Sequence, residues 1–389
     1  MSTKRIHIHP SWSFHDDNGN RLDPQLFQLL LALFSHKKLT HAAKATGISY
    51  RHAWNLINKW SDFFGTELVI LERGKGAQLT PLGQKLVWAE QRVMARFQPQ
   101  MASMASEINV ELNKALANAA PVLKIQASHG YAVELLPSAL TSHDQSADLE
   151  DSRVSEDNLT PENSQAPAES LQLDLQYNTA LQALAAMNRD ECDIAGFHLP
   201  SDVLVPSLVE DYRRLLKPRA HKVIRFIRRE QGLIVAKNNP LNINDLQDLA
   251  VINEEDGIRP RFINRQQDCG TRALFDQLLI NHNIDAASIN GYHNHEFTHS
   301  AVAAFVAAGM ADVGFGVKEA AHKFDLDFIP LCQEDYLLVC HQRKLKQAAV
   351  ESFIQAISSA SFRHSVDQLA GYNADHSGEI IDLALVLTS

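Results

Sequence analysis

The sequence predicts a mainly α N-terminal module followed by a larger α/β domain, and three observations carry that prediction. Apolar residues recur at helical spacing from Leu22 to about Ala117, broken once by a β-like stretch from Glu67 to Leu79. From Leu171 onward short apolar runs alternate with amphipathic stretches, as they do where covering helices flank a mostly parallel sheet. The charge divides along the same line. Residues 1–120 hold 14 Lys and Arg against 9 Asp and Glu, a balance of +5, while the rest of the chain, with 22 against 37, stands at −15. A basic module joined to an acidic one suits nucleic acid at one end and separate work at the other.

A chain of 389 residues, 45% hydrophobic and 21% charged, has room for about two or three ordinary globular domains. No run reaches the roughly 18 apolar residues that span a bilayer, so no membrane association is expected. Met1 to Asn20 is polar and His-rich, with neither the apolar core nor the cleavage site of a secretory signal; Ile6–His9 within it reads as a short strand. Cys192, Cys269, Cys332 and Cys340 are widely spaced, which excludes a disulfide framework and points to a reducing, cytoplasmic setting.

Leu39 to Trp60 carries the first motif. Ala42, Ala43 and Ala45 make a small-faced helix, Gly47 supplies a positive φ at its end, and Ser49 is a good N-cap for the next helix. Ala53, Trp54, Ile57 and Trp60 are assigned to the apolar face of that second helix, and Tyr50, Arg51, His52, Asn55 and Lys59 to its outer face. Helix, tight turn and polar-faced helix is the helix-turn-helix plan, in which the second helix enters the major groove of double-stranded DNA. Ser49, Tyr50, Arg51, His52, Asn55 and Lys59 are therefore the expected DNA contacts, with Arg and Asn suited to base edges and Lys59 to phosphate. An amphipathic core helix with a solvated face would look much the same, and the residues beyond Trp60 decide between them.

Glu67 to Leu79 reads as a β-hairpin with a basic tip, Gly74-Lys75-Gly76, a wing that would set Arg73 and Lys75 against the DNA backbone or minor groove. Thr80-Pro81 then opens a long helix with a cap and a first-turn proline. Leu82, Leu86, Val93, Phe97, Met101, Met104, Ile108, Leu112 and Leu116 recur along it as a homodimer seam would, with Pro99 expected to kink or split it. Residues 22–118, through "AAKATGISYRHAWNLINKW" and "LVILERGKGAQLTPLGQKL", resemble the DNA-binding half of the molybdate-responsive ModE family, related in plan to LysR-type regulators. The chain departs from ModE after residue 120, where no small β-barrel pattern follows.

The later residues are similar instead to a bilobed, periplasmic-binding-protein-like domain of type II, through "GLIVAKNNPLNINDLQDLA", "RFINRQQDCGTRALFDQLL" and "HEFTHSAVAAFVAAGMADVGFG". That resemblance implies two α/β lobes joined by crossing strands, expected near Val223–Gly232 and Asp325–Leu337, with ligand in the cleft between them. The implied organisation is a winged helix-turn-helix over 1–80, a linker and dimerisation helix over 81–118, and an effector domain over 119–389 with its second lobe at about 230–326. Thr141–Ser170, with eight acidic residues and one Arg, offers little to bury and is expected to be a mobile insertion.

Open α/β sheets bind ligands at strand carboxyl ends, where helix N-termini present free N–H groups. Four junctions of that kind are Gln126–Gly130, Tyr177–Thr179, Asp268–Arg272 and Glu296–Ser300. They nominate Ser128, His129, Asn178, Gly270, Thr271, Arg272, Thr298 and His299 as ligand contacts, joined by His198 at the end of its strand. Arg272 offers a two-pronged donor for an oxyanion. Any single Ser or Thr among them reads equally well as an ordinary helix cap. Glu296 turned inward would argue against an anion.

His293, His295 and His299 lack a second ligand cluster at metal spacing, so neither a metal nor a resident cofactor is expected. The sequence contains no nucleophile elbow, P-loop or dinucleotide fingerprint, and an enzyme reading would rest on Cys269 or His129 alone. The expectation is a transcriptional regulator, a homodimer or higher homo-oligomer, whose operator binding follows a small anionic effector. The ModE resemblance puts molybdate or tungstate first; a small carboxylate such as formate, or a molybdenum-cofactor-related compound, comes second.

Overall fold

A computed structural model describes residues 24–72, 76–116, 120–141, 171–251 and 259–387, together with 6–11, 13–15, 17 and 19. The expected wing contacts Arg73 and Lys75, and nearly all of the Thr141–Ser170 insertion, lie outside the described residues. Ile6–His9 joins no ladder; Ile6 instead exchanges backbone hydrogen bonds with the Asn109 side chain at 2.7 and 3.0 Å.

The N-terminal module comprises α1 (Gln25–His36), α2 (Leu39–Ala45), α3 (Tyr50–Phe64), and an antiparallel hairpin of β1 (Val69–Glu72) and β2 (Gly76–Leu79). Leu26, Phe27, Leu30 and Leu33 of α1 pack on Ala42, Ala43, Ala53, Ile57 and Trp60, and Trp60 is wholly enclosed. The Ser49 hydroxyl accepts from the His52 amide at 3.1 Å, and Gly47 takes φ +69° between α2 and α3. Where β2 leaves the hairpin tip, Gly76 (φ +94°) lies so close to the Lys37 carbonyl that a Cβ would stand 2.3 Å from its oxygen, so only glycine fits. The buried stripe of α3 is Ala53, Leu56, Ile57 and Trp60. Trp54, which its hydrophobicity assigns to the apolar face, is 40% exposed, because one residue's step turns it about 100° out of that stripe.

From Thr80, whose hydroxyl accepts from the Gly83 amide at 3.2 Å, the helix α4 runs unbroken from Pro81 to Ala115. The expected split at Pro99 does not occur; the proline costs one backbone hydrogen bond inside a helix held on both sides by its neighbours. Leu86, near the start of the expected dimer seam, is buried in the N-terminal core together with its neighbour Val87.

The larger domain is built on one ten-stranded sheet. Its main path runs β4 (Gln172–Tyr177), β3 (Val122–Ala127), β5 (Ile194–Pro200), β10 (Asp327–His341), β6 (His221–Val235), β9 (Val313–Val317), β7 (Phe262–Arg265) and β8 (His295–Glu296); β11 (Tyr372–Asn373) and β12 (Ile380–Asp382) pair with β6. The sheet is mixed rather than mostly parallel. Pairs among β3, β4 and β5 and among β7, β8 and β9 are parallel where they meet, but β6 and β10 cross between the lobes in opposite senses and pair antiparallel from Asp327↔Val235 to His341↔His221. The two crossings expected from the sequence are these strands.

Both faces are covered, which explains the near-continuous apolar runs. Alternate residues, such as Ile194 against Ala195 and Leu338 against Val339, go to opposite cores. One face carries a helix over 136–141 (α5), α9 (His299–Ala307), α10 (Lys318–Lys323), α11 (Ala348–Ser358) and α12 (Ala360–Asp367). The other carries α6 (Ala180–Asn188), α7 (Pro206–Leu215), α8 (Gly270–Asn281) and α13 (Leu383–Leu387).

Candidate functional site

Where β6 and β10 cross between lobes, their sequences turn from apolar to charged. Arg229, Gln231 and Glu334 are almost fully buried there, and one carboxylate oxygen of Glu334 receives both the Arg229 guanidinium at 2.6 Å and the Gln231 amide at 2.8 Å. Burial works against both charges. Glu334 nevertheless keeps its carboxyl below the usual range, because Arg229, His198 and the hydrogen bonds from Arg229 and Gln231 outweigh desolvation.

Around this pair stand His198 at the end of β5, Arg265 at the end of β7, His299 at the start of α9, and Tyr336 of β10, all buried. The His198 ring lies edge-on to Tyr336 with centroids 5.0 Å apart, and it presses on the N-terminus of α8: a Cβ on Gly270 would meet it at 2.9 Å. His299 Nδ1 lies as near to Gly316, and Arg229 approaches Gly130. The two lobes touch directly where the Tyr131 and Ser300 hydroxyls share a hydrogen bond of 2.7 Å.

Several buried polar atoms of the cleft lack partners. Arg265 donates from Nη2 to the Phe297 carbonyl at 3.0 Å, but its Nε and Nη1 are sealed from solvent without a partner, as are Nδ1 of His198, Nδ1 of His299 and Oε1 of Gln231. Desolvation lowers the Arg265 pKa, with Arg229 adding to it. Desolvation, and then the flanking guanidinium groups, also hold His299 well below its ordinary value. For His198, burial and the two arginines outweigh the attraction of Glu334 and bring the pKa to about 4. Buried polar atoms are normally paired, so this cluster has the chemistry of a receptor for an anion.

The shift of His198 makes stability depend on pH. Its folded pKa lies below its unfolded one, so the stability that depends on a neutral ring is complete above about pH 6.5. It is lost as the pH falls towards about 4, by about 3 kcal/mol in all. Urea unfolding of the ligand-free protein from about pH 7.5 to about pH 4.5 should show that loss, and His198→Gln should flatten it. An equally steep profile in the variant would assign the acid sensitivity to other groups.

Of the nominated ligand contacts, His198, Gly270 and His299 meet around this cluster, with His129 of the Ser128–Gly130 turn nearby: it is among the charges felt by His299, and its ring faces Tyr177 at 5.1 Å. The Ser128 carbonyl accepts from the Tyr336 hydroxyl at 2.8 Å. Thr298 is buried, and its hydroxyl caps α9 by accepting from the Ala301 amide; Thr271 is buried in the first turn of α8. Asn178 donates to Gln126 at 3.0 Å. Arg272 is not presented to a ligand: its guanidinium is held by Asp276 at 2.8 Å, by the Arg265 carbonyl and over the Tyr292 ring at 4.1 Å. Glu296 does not face the cleft as a free carboxylate, since it meets Arg92 of α4 at 2.7 Å. Sequence reasoning missed Arg229, Gln231, Arg265 and Glu334. The charged run Arg228-Arg229-Glu230-Gln231 inside an otherwise apolar strand was the available signal.

On the N-terminal module, Ser49, Tyr50, Arg51, His52, Asn55 and Lys59 are all exposed on or beside one side of α3, with Trp54 among them, and His52 Nε2 lies 3.1 Å from the Gln25 amide oxygen. Among the described residues no three His, Cys, Asp or Glu side chains cluster as metal ligands would, and no helix is long and apolar enough to cross a membrane.

Residues 162–358, half of the chain, match the family model of the PBP superfamily domain. The chain belongs to the PBP superfamily. Ahead of this PBP domain, residues 24–84 match the bacterial regulatory helix-turn-helix protein, lysR family, so a LysR-type helix-turn-helix precedes a PBP-like domain. Neither match describes an enzyme. The uncharacterized protein YvgK of Bacillus subtilis is 30% identical over 205 residues, which are 53% of this chain and 64% of YvgK. An uncharacterized protein encoded in the 5′ region of a ferredoxin 2Fe-2S gene of Clostridium pasteurianum is 33% identical over 109 residues, 28% of this chain and 96% of that protein. Among solved structures, a full-length BenM variant aligns at 14% identity over 89% of this chain and 97% of its own, with a TM-score of 0.41. An OxyR variant from Corynebacterium glutamicum aligns at 16% identity over 89% and 94%, with a TM-score of 0.40.

Proposed function

We propose that the chain is a DNA-binding transcriptional regulator whose operator affinity is set by a small anion held between the lobes of its PBP domain. The observation that carries this reading is the path of α4. It begins in the N-terminal core through Leu86 and Val87, and then lies along both lobes. On the second lobe Lys85 donates to the Ala308 carbonyl at 2.8 Å, Arg92 meets Glu296, and Arg96 covers the Phe297 ring at 4.5 Å. On the first, the Ser103 and Ser106 hydroxyls accept from the Tyr177 and Leu175 amides, both at 2.8 Å. Phe297 thus offers its carbonyl to Arg265 in the cleft and its ring to α4, and His299 lies two residues later. A change in lobe closure moves two ends of one helix, with Pro99 between them.

Residues 1–80 would read DNA, 81–118 link and dimerise, and 119–389 sense. Phe97, Met104, Ile108, Leu112 and Leu116 are exposed along one stripe of α4, which supports a homodimer seam that starts later along the helix than its sequence pattern implied. For the effector, molybdate or tungstate is suggested by the ModE resemblance, while a short carboxylate such as formate, or a molybdenum-cofactor-related compound, is the other candidate.

Fluorescence anisotropy with the DNA upstream of the gene tests this reading. Binding should weaken steeply with salt, and the effector should change affinity by about 5- to 150-fold. Arg92→Met should bind the same DNA with unchanged salt dependence and lose most of that response. A full response in Arg92→Met would remove α4 as the coupling element, and indifference to duplex DNA at low salt would remove the regulator reading.

A further inference from the structure

The charge in the cleft narrows the class of ligand, given the proposed role of the cleft as the effector site. Two guanidinium groups are buried there, those of Arg229 and Arg265, against one carboxylate, Glu334. Arg229 is already matched by Glu334. The neighbouring acidic groups are committed elsewhere: Glu134 to His129, Asp276 to Arg272 and Glu296 to Arg92, while the Cys269 thiol, which also acts on Arg265, donates to the Gln266 carbonyl. Asp268 is exposed to solvent, and so is Lys323, over the Tyr131 ring at the rim. With both imidazoles neutral, the sealed cluster carries one unmatched positive charge, on Arg265. Its Nε and Nη1 are unpartnered, the charge of Arg265 is felt by both His198 and His299, and the Nδ1 atoms of those two rings are unpartnered as well. Gln231 is oriented by its own donation to Glu334, so its free Oε1 is an acceptor and adds no positive charge.

We propose that the cleft is built for a compact anion bearing a single negative charge, and that a doubly charged oxyanion enters it only together with a proton. A monoanion cancels the charge on Arg265. A dianion leaves one uncompensated negative charge in a site closed by the Tyr131–Ser300 contact, and a buried unmatched charge is costly. The proton that would restore balance goes to a ring nitrogen of His198 or His299, which nothing else in the site holds. Compactness is imposed by the enclosure: every unpartnered atom of the cluster is cut off from solvent while the lobes touch.

The test is isothermal titration calorimetry of the full-length protein in chloride-free buffer, with formate, acetate and nitrate as monoanions and molybdate, tungstate and sulfate as dianions. At about pH 8 the best monoanion should bind at least about tenfold more tightly than any of the dianions. Between about pH 8 and about pH 6 the dianions should gain affinity with uptake of about one proton, measured from two buffers of different ionisation enthalpy. Tighter binding of a dianion without proton uptake overturns the charge rule while leaving the cleft an anion site. Arg265→Met separates the two levels. It should abolish binding of every probe, and undiminished binding to that variant places the anion elsewhere and overturns both. Should Arg265→Met fold poorly, His299→Gln serves in its place, with dianion uptake of a proton reduced. No heat from any of the six probes overturns the anion reading and the charge rule with it.

Discussion

Replacing Arg51 and Asn55 together by alanine is expected to lower operator affinity by about 10²- to 10⁴-fold while leaving the melting temperature nearly unchanged. Both side chains are exposed on α3, and the residues that hold that helix in place are others: Ala53, Leu56, Ile57 and Trp60 on its buried stripe, and the Ser49 cap. A bidentate contact from Arg to guanine or from Asn to adenine is worth about 1–3 kcal/mol of discrimination, and two such contacts combine to the stated range. The loss should fall on the specific sequence far more than on random duplex, because phosphate contacts from residues such as Lys59 remain. Lys59→Ala should do the converse, weakening all duplexes alike and lowering the salt slope by about one. Competition binding on specific and scrambled duplexes checks both, and equal losses on the two duplexes would falsify the assignment of Arg51 and Asn55 to base edges.

The N-terminal module was legible because its determinants are local. Ala42 and Ala43, Gly47, Ser49 and Thr80-Pro81 act within a few residues of themselves, and the structure uses each of them as the sequence implies. Trp54 was misplaced for a nameable reason: a stripe at i, i+3, i+4 and i+7 from Ala53 leaves it out, and a tryptophan was given to the core on hydrophobicity alone. Around the cleft, the nominated His198, Gly270 and His299 meet at the buried cluster, but the arginine with unpartnered nitrogens there is Arg265 and not the nominated Arg272. Arg265 and Arg272 stand seven residues apart at the same junction, but Arg272 has Asp276 four residues on, the spacing at which a helical ion pair forms. That spacing was readable and excludes Arg272 as a free donor. The Arg229–Glu334 pair was not readable, since its two members meet only because β6 and β10 pair in one particular register across 105 positions. The same holds for Glu296, whose partner lies in another module.

That buried pair is expected to carry a large stability effect. Arg229→Met is expected to cost about 3–5 kcal/mol, because it strands the Glu334 carboxylate in a site where Gln231 alone still donates to it. Arg229→Met combined with Glu334→Gln should recover most of the loss, since the pair's worth lies in mutual neutralisation and a neutral amide needs no counter-charge. The pH dependence gives an independent sign. In the parent protein Glu334 titrates below its unfolded value, so its contribution is present above about pH 4.5 and is lost as the pH falls. In Arg229→Met the carboxyl titrates above its unfolded value instead, so the penalty is greatest near neutrality and shrinks on acidification. Urea unfolding of the parent, both single variants and the double variant, near pH 7 and near pH 5, reads both effects. A single variant that is no less stable than the parent near neutrality, with the same pH slope, would mean that Glu334 finds another cation when Arg229 leaves. Arg265 is the candidate, since its guanidinium already feels the Glu334 charge. That outcome would also spend the donor on which anion binding depends, so the same variant would then fail to bind any anion.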